Sequence, residues 1–206
     1  MGFYERKILP AIIDYFLSTP AVEQCRREFL ARLNGEVLEI GGGTGLNFHW
    51  YPNGVRRCTL LDPCESMFVK ARQRLRHAVV PVGFVVGRAE ELPFPDQVFD
   101  AVISTWTLCS IGDAGRALDE AHRVLRPEGV FCFLDHGLSV ERDVRFLQRL
   151  LKPFFRFCGG GCRPDRDIRS LVELHGFDIR EMTCFYLQGM PRFAGYMYRG
   201  FAGKRR

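Results

Sequence analysis

Four glycines within five residues, Gly41-Gly42-Gly43-Thr44-Gly45, follow directly on the strand-like segment Glu36-Val37-Leu38-Glu39-Ile40. Glycine weakens helix and strand interiors alike, so such a cluster marks a backbone that turns tightly or lies close against something. The chain then resumes a helix-like pattern through Asn47, His49 and Trp50. If the preceding strand belongs to an open parallel sheet, this loop sits at the carboxyl ends of the strands, where such sheets bind ligands.

The pattern downstream supports that sheet. Short apolar or β-branched runs at Glu36 to Ile40, Arg57 to Leu61, Gly83 to Gly87, Ala101 to Thr105 and Val130 to Asp135 alternate with longer amphipathic stretches, as βα units do. Met67, Ala71 and Leu75 share one face of a helix, and Ala117, Ala121, Val124 and Leu125 share another before Pro127 stops it. A further helix runs to Gly176. Two strands, "FDIREMTCFYL" and "RFAGYMYRGFAG", then follow with only "QGMP" between them, a turn that permits antiparallel pairing alone. The expected fold is α/β: a Rossmann-like, doubly wound, seven-stranded sheet, mostly parallel, with a C-terminal antiparallel hairpin and helices on both faces.

A chain of 206 residues, 47% hydrophobic, can bury one sizeable core, and one domain is expected. The net charge of +5, from 29 basic and 24 acidic residues, is too balanced to predict nucleic-acid binding. Pro10, Asp14 and early charges interrupt the N-terminal apolar pattern, and no segment reaches bilayer-spanning length, so a cytoplasmic protein is expected. The eight cysteines fall mostly within apolar runs and are expected to be reduced.

The glycines follow G-x-G-x-G. Leu46 stands where a dinucleotide fingerprint needs its third glycine, which argues against a pyrophosphate ligand. Such a loop still lets the backbone lie flat against a ribose and an amino acid. Glu39 precedes it, and Asp62, about twenty residues on at the end of the next strand, occupies the place from which a carboxylate bonds ribose hydroxyls. Each feature alone has a structural alternative: a tight turn for the glycines, a helix cap for Asp62-Pro63.

"VLEIGGGTG", "LLDP", "GRAEELPFPDQVFDAVIS" and "AHRVLRPEGVF" resemble the successive motifs of class I S-adenosylmethionine-dependent methyltransferases, specifically the type 11 domain shared with quinone-biosynthesis methyltransferases. The resemblance implies that Glu39, Gly41, Gly43 and Gly45 hold the methionine part and ribose of S-adenosylmethionine, that Asp62 binds the ribose hydroxyls, and that Pro63 lies beside the adenine. It implies that Ala89 and Glu90 flank the adenine; Arg88 replaces the family's Asp. "STWTLCSI", "FLDHG", "GGCRPDRDI" and "RFAGYMYRGFAG" resemble a bacterial subgroup, and "TLCSI" with "DHG" also resembles the membrane-associated alkyl thiol methyltransferases of animals; their N-terminal hydrophobic anchor is not expected here, so their membrane residence is not expected to carry over. The implied layout is an N-terminal helical cap (1–33), a cofactor core (34–135), acceptor-covering helices (136–176) and the hairpin (177–206).

In-line methyl transfer needs an oriented lone pair, exclusion of water and removal of any remaining proton. Ser104 and Thr105 are expected at the cofactor. Tyr4, Trp106, Cys109 and Phe154 are expected at the acceptor pocket. His136, beside Asp135, is the candidate base; the alternative is that both only anchor the following loop. His122 and His175 read as structural. Cys158 and Cys162 lack a second pair to complete a zinc site, so no metal is expected, while convergence of Cys109, Cys158 and Cys162 on arsenite stays open. Arg145, Arg149, Lys152 and Arg156 recur on one side of a helix and Phe146, Leu150, Phe154 and Phe157 on another, which suits a lipophilic acceptor or weak peripheral contact with an anionic membrane. Core packing is the favoured reading of the phenylalanines. The expected reaction is methylation of a small lipophilic thiol, phenol or quinol, yielding S-adenosylhomocysteine. A metalloid or lipid-amine acceptor, a nicotinamide oxidoreductase and a non-catalytic cofactor-binding module are the alternatives. Nucleic acid is not expected as substrate, and the oligomeric state is not legible.

Overall fold

The computed structural model describes residues 9–205, apart from the side chains of Leu9 and Cys158. Two helices, α1 (Leu9–Leu17) and α2 (Pro20–Leu30), precede β1 (Gly35–Ile40), β2 (Val55–Asp62), α3 (Met67–Arg74), β3 (Val82–Val86), β4 (Phe99–Thr105), α4 (Ala114–Val124) and β5 (Leu125–His136). The chain continues through α5 (Arg142–Cys158), α6 (Ile168–Leu174), β6 (Phe177–Tyr186) and β7 (Tyr196–Lys204). The strands form one sheet in the order β3-β2-β1-β4-β5-β7-β6. The first five are mutually parallel, and β7 is inserted antiparallel between β5 and β6.

Strand alternation sorts the apolar residues into two cores. Leu38, Val102, Phe131 and Phe133 point to the side covered by Ala117, Leu118 and Ala121 of α4 and Val172 of α6. Val37, Ala101, Ile103, Cys132 and Leu134 point to the other side, against Phe29 and Leu30 of α2 and Phe68 and Ala71 of α3. Strands buried on both faces must be nearly all apolar, which is why β1, β4 and β5 were readable as short hydrophobic runs. Asp113 and Asp167 cap α4 and α6 by accepting from Arg116 N and Ser170 N.

Several local expectations shift. Pro127 does not stop α4: the helix ends at Val124, Leu125 already pairs with Phe99, and Pro127 falls in the irregular stretch before Val130 rejoins the ladder opposite Ala101. A strand tolerates Pro where the ladder is interrupted. Leu75 is 37% exposed, and Phe68, fully buried, takes the place expected for it against the sheet. The segment after the glycines makes only one 3-10 turn, Phe48–Trp50. The hairpin connection is longer than "QGMP": residues 187–195 fold back on themselves, Leu187 N donating to Gly195 O at 2.8 Å, before β7 begins at Tyr196.

The winding reverses between β1 and β4, so a crevice opens above their carboxyl ends, rimmed by the glycine loop and the segment after Thr105. No helix among the described residues is long and apolar enough to cross a membrane.

Candidate active site

The loop after β1 is held by its own backbone. Gly41 N and Gly42 N both donate to Leu61 O, at 2.8 and 3.2 Å, and Gly45 N donates to Gly42 O at 3.0 Å. Gly41, Gly43 and Gly45 have φ of 63°, 51° and 75°, conformations an L side chain rarely adopts. A Cβ on Gly41 would collide with Thr107, whereas one on Gly43 would meet nothing closer than Gly41 O at 4.0 Å. The glycine at position 43 thus keeps open space in front of the loop rather than relieving a clash.

Asp62 faces that space. Its Oδ2 accepts from Gly43 N at 3.0 Å and its Oδ1 from Cys64 N at 2.8 Å, so the carboxylate bridges the glycine loop to the start of α3. Burial raises its pKa, opposed by those two N–H groups. Each oxygen retains a lone pair, so the loop and acid together fit a ribose diol. Pro63 is exposed beside it, and Ala89, buried, precedes Glu90, which pairs with Arg88 at 3.0 Å just past the end of β3.

Glu39 lies beneath the loop, 1% exposed. It accepts from Asn47 Nδ2 at 2.6 Å and from the Tyr51 hydroxyl. Asn47 Nδ2 also reaches Thr105 Oγ1 at 3.0 Å, and Asn47 Oδ1 accepts from Arg26 Nε at 2.9 Å. Burial pushes the Glu39 pKa up to about 7, against the hydrogen bonds from Tyr51 and Asn47 and the charge of Arg26. Arg26, 3% exposed, also lies 4.7 Å from the ring centroid of Trp106. Arg26 and Tyr51 were not anticipated. A single Arg within the charged α2 pattern, and a Tyr beyond the glycines, carry no periodic signal that separates a buried network from a solvated face.

Above the loop, Asp14 of α1 accepts from Thr44 Oγ1 at 2.6 Å and Lys70 Nζ at 2.7 Å, and pairs with Arg74 at 3.2 Å. Burial raises its pKa, but these three partners prevail and hold it below the ordinary value. α1 is thereby tied to the glycine loop and α3 at once.

On the other rim Trp106 has a φ of 51°, a left-handed conformation that costs energy for a bulky side chain and persists where surroundings enforce it. The surroundings here are Asp135, fully buried at the end of β5. It accepts from Ser104 Oγ at 2.7 Å and Thr107 N at 2.6 Å, while Trp106 N donates to Leu134 O at 2.8 Å. Burial raises the Asp135 pKa to about 6, with Ser104 and the 107–109 backbone opposing it. Asp135 thus anchors the loop that carries Trp106, Thr107 and Cys109.

His136, 5% exposed, turns elsewhere. Its Nε2 lies 3.3 Å from Phe193 O, and because a carbonyl only accepts, Nε2 carries a hydrogen. Nδ1 faces Cys162 Sγ at 3.5 Å. Cys162 in turn meets Cys109: a hydrogen bond from the Cys109 thiol pushes the Cys162 pKa down against its burial, with His136 and Arg166 adding to the effect, and Cys109 rises above its usual range. Arg163 N donating to Cys109 O at 2.8 Å stitches the two segments together. The structure therefore brings together Cys109, Cys162, His136 and, through the 106–109 loop, Asp135. It leaves Phe154 62% exposed on the outer side of α5. Tyr4 lies outside the described residues, as does the side chain of Cys158. His122 packs on Phe177 and His175 pairs with Asp119 at 2.8 Å.

Residues 38–133 match the family described as Methyltransferase domain. Human thiol S-methyltransferase TMT1B is 34% identical over 178 residues, covering 80% of this chain and 72% of that protein. Human TMT1A is 35% identical over 147 residues, 68% of this chain and 59% of the relative. The ubiquinone/menaquinone biosynthesis C-methyltransferase UbiE of Proteus mirabilis is 37% identical over 114 residues, 53% of this chain and 45% of its own length. In fold, the chain resembles an S-adenosylmethionine-dependent methyltransferase from Mesorhizobium loti (TM-score 0.68, 20% identity, 91% of this chain and 100% of that one). It also resembles the Burkholderia thailandensis 1,6-didemethyltoxoflavin-N1-methyltransferase with bound S-adenosylhomocysteine (TM-score 0.70, 16% identity, 96% and 84% covered). With the glycine loop, the acid at the tip of the neighbouring strand and the seven-stranded sheet in place, the chain belongs to the S-adenosylmethionine-dependent methyltransferases of the methyltransferase-domain family.

Proposed function

We propose that the acceptor is a small lipophilic thiol, methylated on sulfur, and that His136 with Cys162 takes up its proton. The carrying observation is the contact of Cys162 Sγ with His136 Nδ1 at 3.5 Å, in a buried setting bounded by Phe155, whose ring centroid is 6.0 Å from the imidazole. With Nε2 directed at Phe193 O, Nδ1 is the ring nitrogen left to accept a proton, beside the Cys162 sulfur. A thiol, with an ordinary pKa near 8.5, needs only a mild acceptor once its sulfur is held in line. The sequence likeness to thiol S-methyltransferases, over 80% of the chain, supports the same acceptor class.

S-adenosylmethionine supplies the electrophilic methyl group when bound. Gly41, Gly43 and Gly45 would bring backbone groups against its amino acid and ribose, and Asp62 would bond the ribose hydroxyls. Ala89, Pro63 and Glu90 would flank the adenine. Glu39, its two oxygens already occupied by Asn47 and Tyr51, would act through Asn47 by fixing the loop and Thr105. Ser104 and Asp135 would hold the 106–109 segment so that Trp106 and Cys109 border the acceptor. Membership of the family removes the nicotinamide alternative.

The test is turnover of the purified chain with labelled cofactor across matched alkyl thiols, phenols and quinols, with products identified by mass spectrometry. Methyl thioethers are expected to dominate. His136→Ala is expected to lower kcat by about 100-fold on thiols while leaving the affinity for S-adenosylhomocysteine at the parental level. Methylation of a phenol or quinol with no thioether from any thiol would overturn the reading, and an unchanged kcat in the variant would remove His136 from it.

A further inference from the structure

Helix α5 presents three distinct faces. Val144 and Gln148 are buried, with Leu151 and Phe155 completing the inward side. At 3.6 residues per turn, Arg142, Arg145, Arg149 and Arg156 fall together on a second sector, with Lys152 at its inner edge, paired with Asp165 at 2.7 Å. Phe146, Leu147, Leu150, Phe154 and Phe157 fall on the third. These five are 67%, 42%, 62%, 62% and 82% exposed, and Val140, just before the helix, is 70% exposed. The two outer sectors lie roughly 120° apart, and Asp143 in the first turn is the one acidic residue of the helix.

A helix whose outer surface is simply solvated alternates polar residues around its outward face. This one segregates them, placing large apolar side chains on one half and guanidinium groups on the other. An apolar stripe of this size, running from Phe146 to Phe157 with Asp143 on the same sector only at the helix's first turn, marks a docking surface on an exposed helix. Its composition specifies the partner: phenylalanine and leucine with no hydrogen-bonding tips suit acyl chains, and a parallel row of arginines suits lipid phosphates, the arrangement of helices that lie in the plane of a bilayer interface.

We infer that the outer face of α5 seats this enzyme on an anionic phospholipid surface, Phe146, Leu150 and Phe157 entering the acyl boundary and Arg142, Arg145, Arg149 and Arg156 contacting lipid phosphates. This surface is separate from the glycine loop and from the His136–Cys162 pair, and it does not depend on which acceptor is methylated. It brings the catalytic sheet to lipophilic acceptors dissolved in the membrane.

The experiment is flotation of the full chain with vesicles of phosphatidylcholine alone or containing phosphatidylglycerol, at two salt concentrations. Binding is expected with the anionic vesicles and is expected to weaken as salt rises. Arg149→Gln with Arg156→Gln should lower the partition coefficient about 25-fold, taking roughly fivefold per cation. Phe146→Ser with Leu150→Ser should lower it by at least about tenfold per side chain. Retained binding of S-adenosylhomocysteine verifies that both variants are folded. A photo-crosslinking phenylalanine analogue at position 146 identifies the occupant directly: adducts to lipid are expected, whereas adducts to a second copy of the chain or to its own residues 1–8 would overturn the inference. So would equal binding to neutral and anionic vesicles, or variants that bind as the parent does.

Discussion

The crevice at the tips of β1, β2 and β4 and the outer face of α5 are built on opposite terms. In the crevice, polar groups are buried and matched. Glu39 has Asn47 and Tyr51, Asp62 has two backbone N–H groups, Arg26 has Asn47 and the Leu17 carbonyl, and Asp135 has Ser104 and the Thr107 backbone. On α5, apolar groups are exposed, with no covering partner among the described residues. Matched buried polar groups are costly to leave without partners, so they hold one geometry and suit a ligand that must be positioned to a fraction of an ångström. Exposed apolar groups are tolerant of what covers them, which suits a partner without fixed shape.

The sharpest way to break this contrast is to fill the crevice. Gly43→Val places a branched side chain on a φ of 51° and into the open space in front of the loop. Binding of S-adenosylhomocysteine, read by calorimetry, is expected to weaken by more than about a thousandfold, over 4 kcal/mol. Near-parental affinity would show that the loop is not the cofactor's seat.

A smaller effect separates the buried acids from the rest of the molecule. The unfolded chain ionises Glu39 near 4.5, while the folded chain retains its proton up to about 7. Between those values the folded state binds more protons, so Glu39 supports folding most at acid pH and loses that contribution as pH rises through the window, about 3 kcal/mol in all. Asp135, raised to about 6, and Asp62, also raised, act in the same direction. Glu39→Gln keeps the shape and removes the ionisation. The stability difference between parent and variant, from denaturant melts at pH 4.5 and 7.5, is expected to shift towards the variant at the higher pH. A difference that does not change with pH would mean that Glu39 stays ionised in the fold.

The contrast also explains what the sequence disclosed. Glycines at 41, 43 and 45 and an acid at 62 are dictated by backbone conformation and ligand approach, so their spacing is visible in a single chain. The doubly buried strands were equally visible, because burial on both faces leaves little choice of residue. The Glu39–Asn47–Arg26 network was not: Glu39 was expected to face the cofactor rather than to be held by Asn47 and Tyr51, and Arg26, on the charged pattern of α2, reads as ordinary surface. Nor was the outward aim of Phe146, Phe154 and Phe157: a helical stripe of phenylalanines has the same spacing whether it meets a core or a bilayer, and only the position of Gln148, which faces inward, decides it. Sequence periodicity assigns residues to a face but not the face to a direction.

Gln148 and Phe157 therefore make the finest test. A helix read by hydropathy alone would bury the phenylalanine and expose the glutamine, yet Gln148 is 0% exposed and Phe157 82%. The glutamine accepts from Ser139 N at 3.0 Å and donates to Gly137 O at 3.0 Å and Phe193 O at 3.3 Å, so it fixes the start of α5 to the segment that also receives His136 Nε2. Gln148→Ala orphans the buried Ser139 N–H and the Gly137 carbonyl, while Phe193 O keeps His136 Nε2, and is expected to cost about 2 kcal/mol. Phe157→Ser removes a far larger apolar group and is expected to change stability by less than about 0.5 kcal/mol, because that group is exposed in both the folded and unfolded states. If urea melts reversed that order, the outward face of α5 would be part of the core, and its comparison with the crevice would collapse.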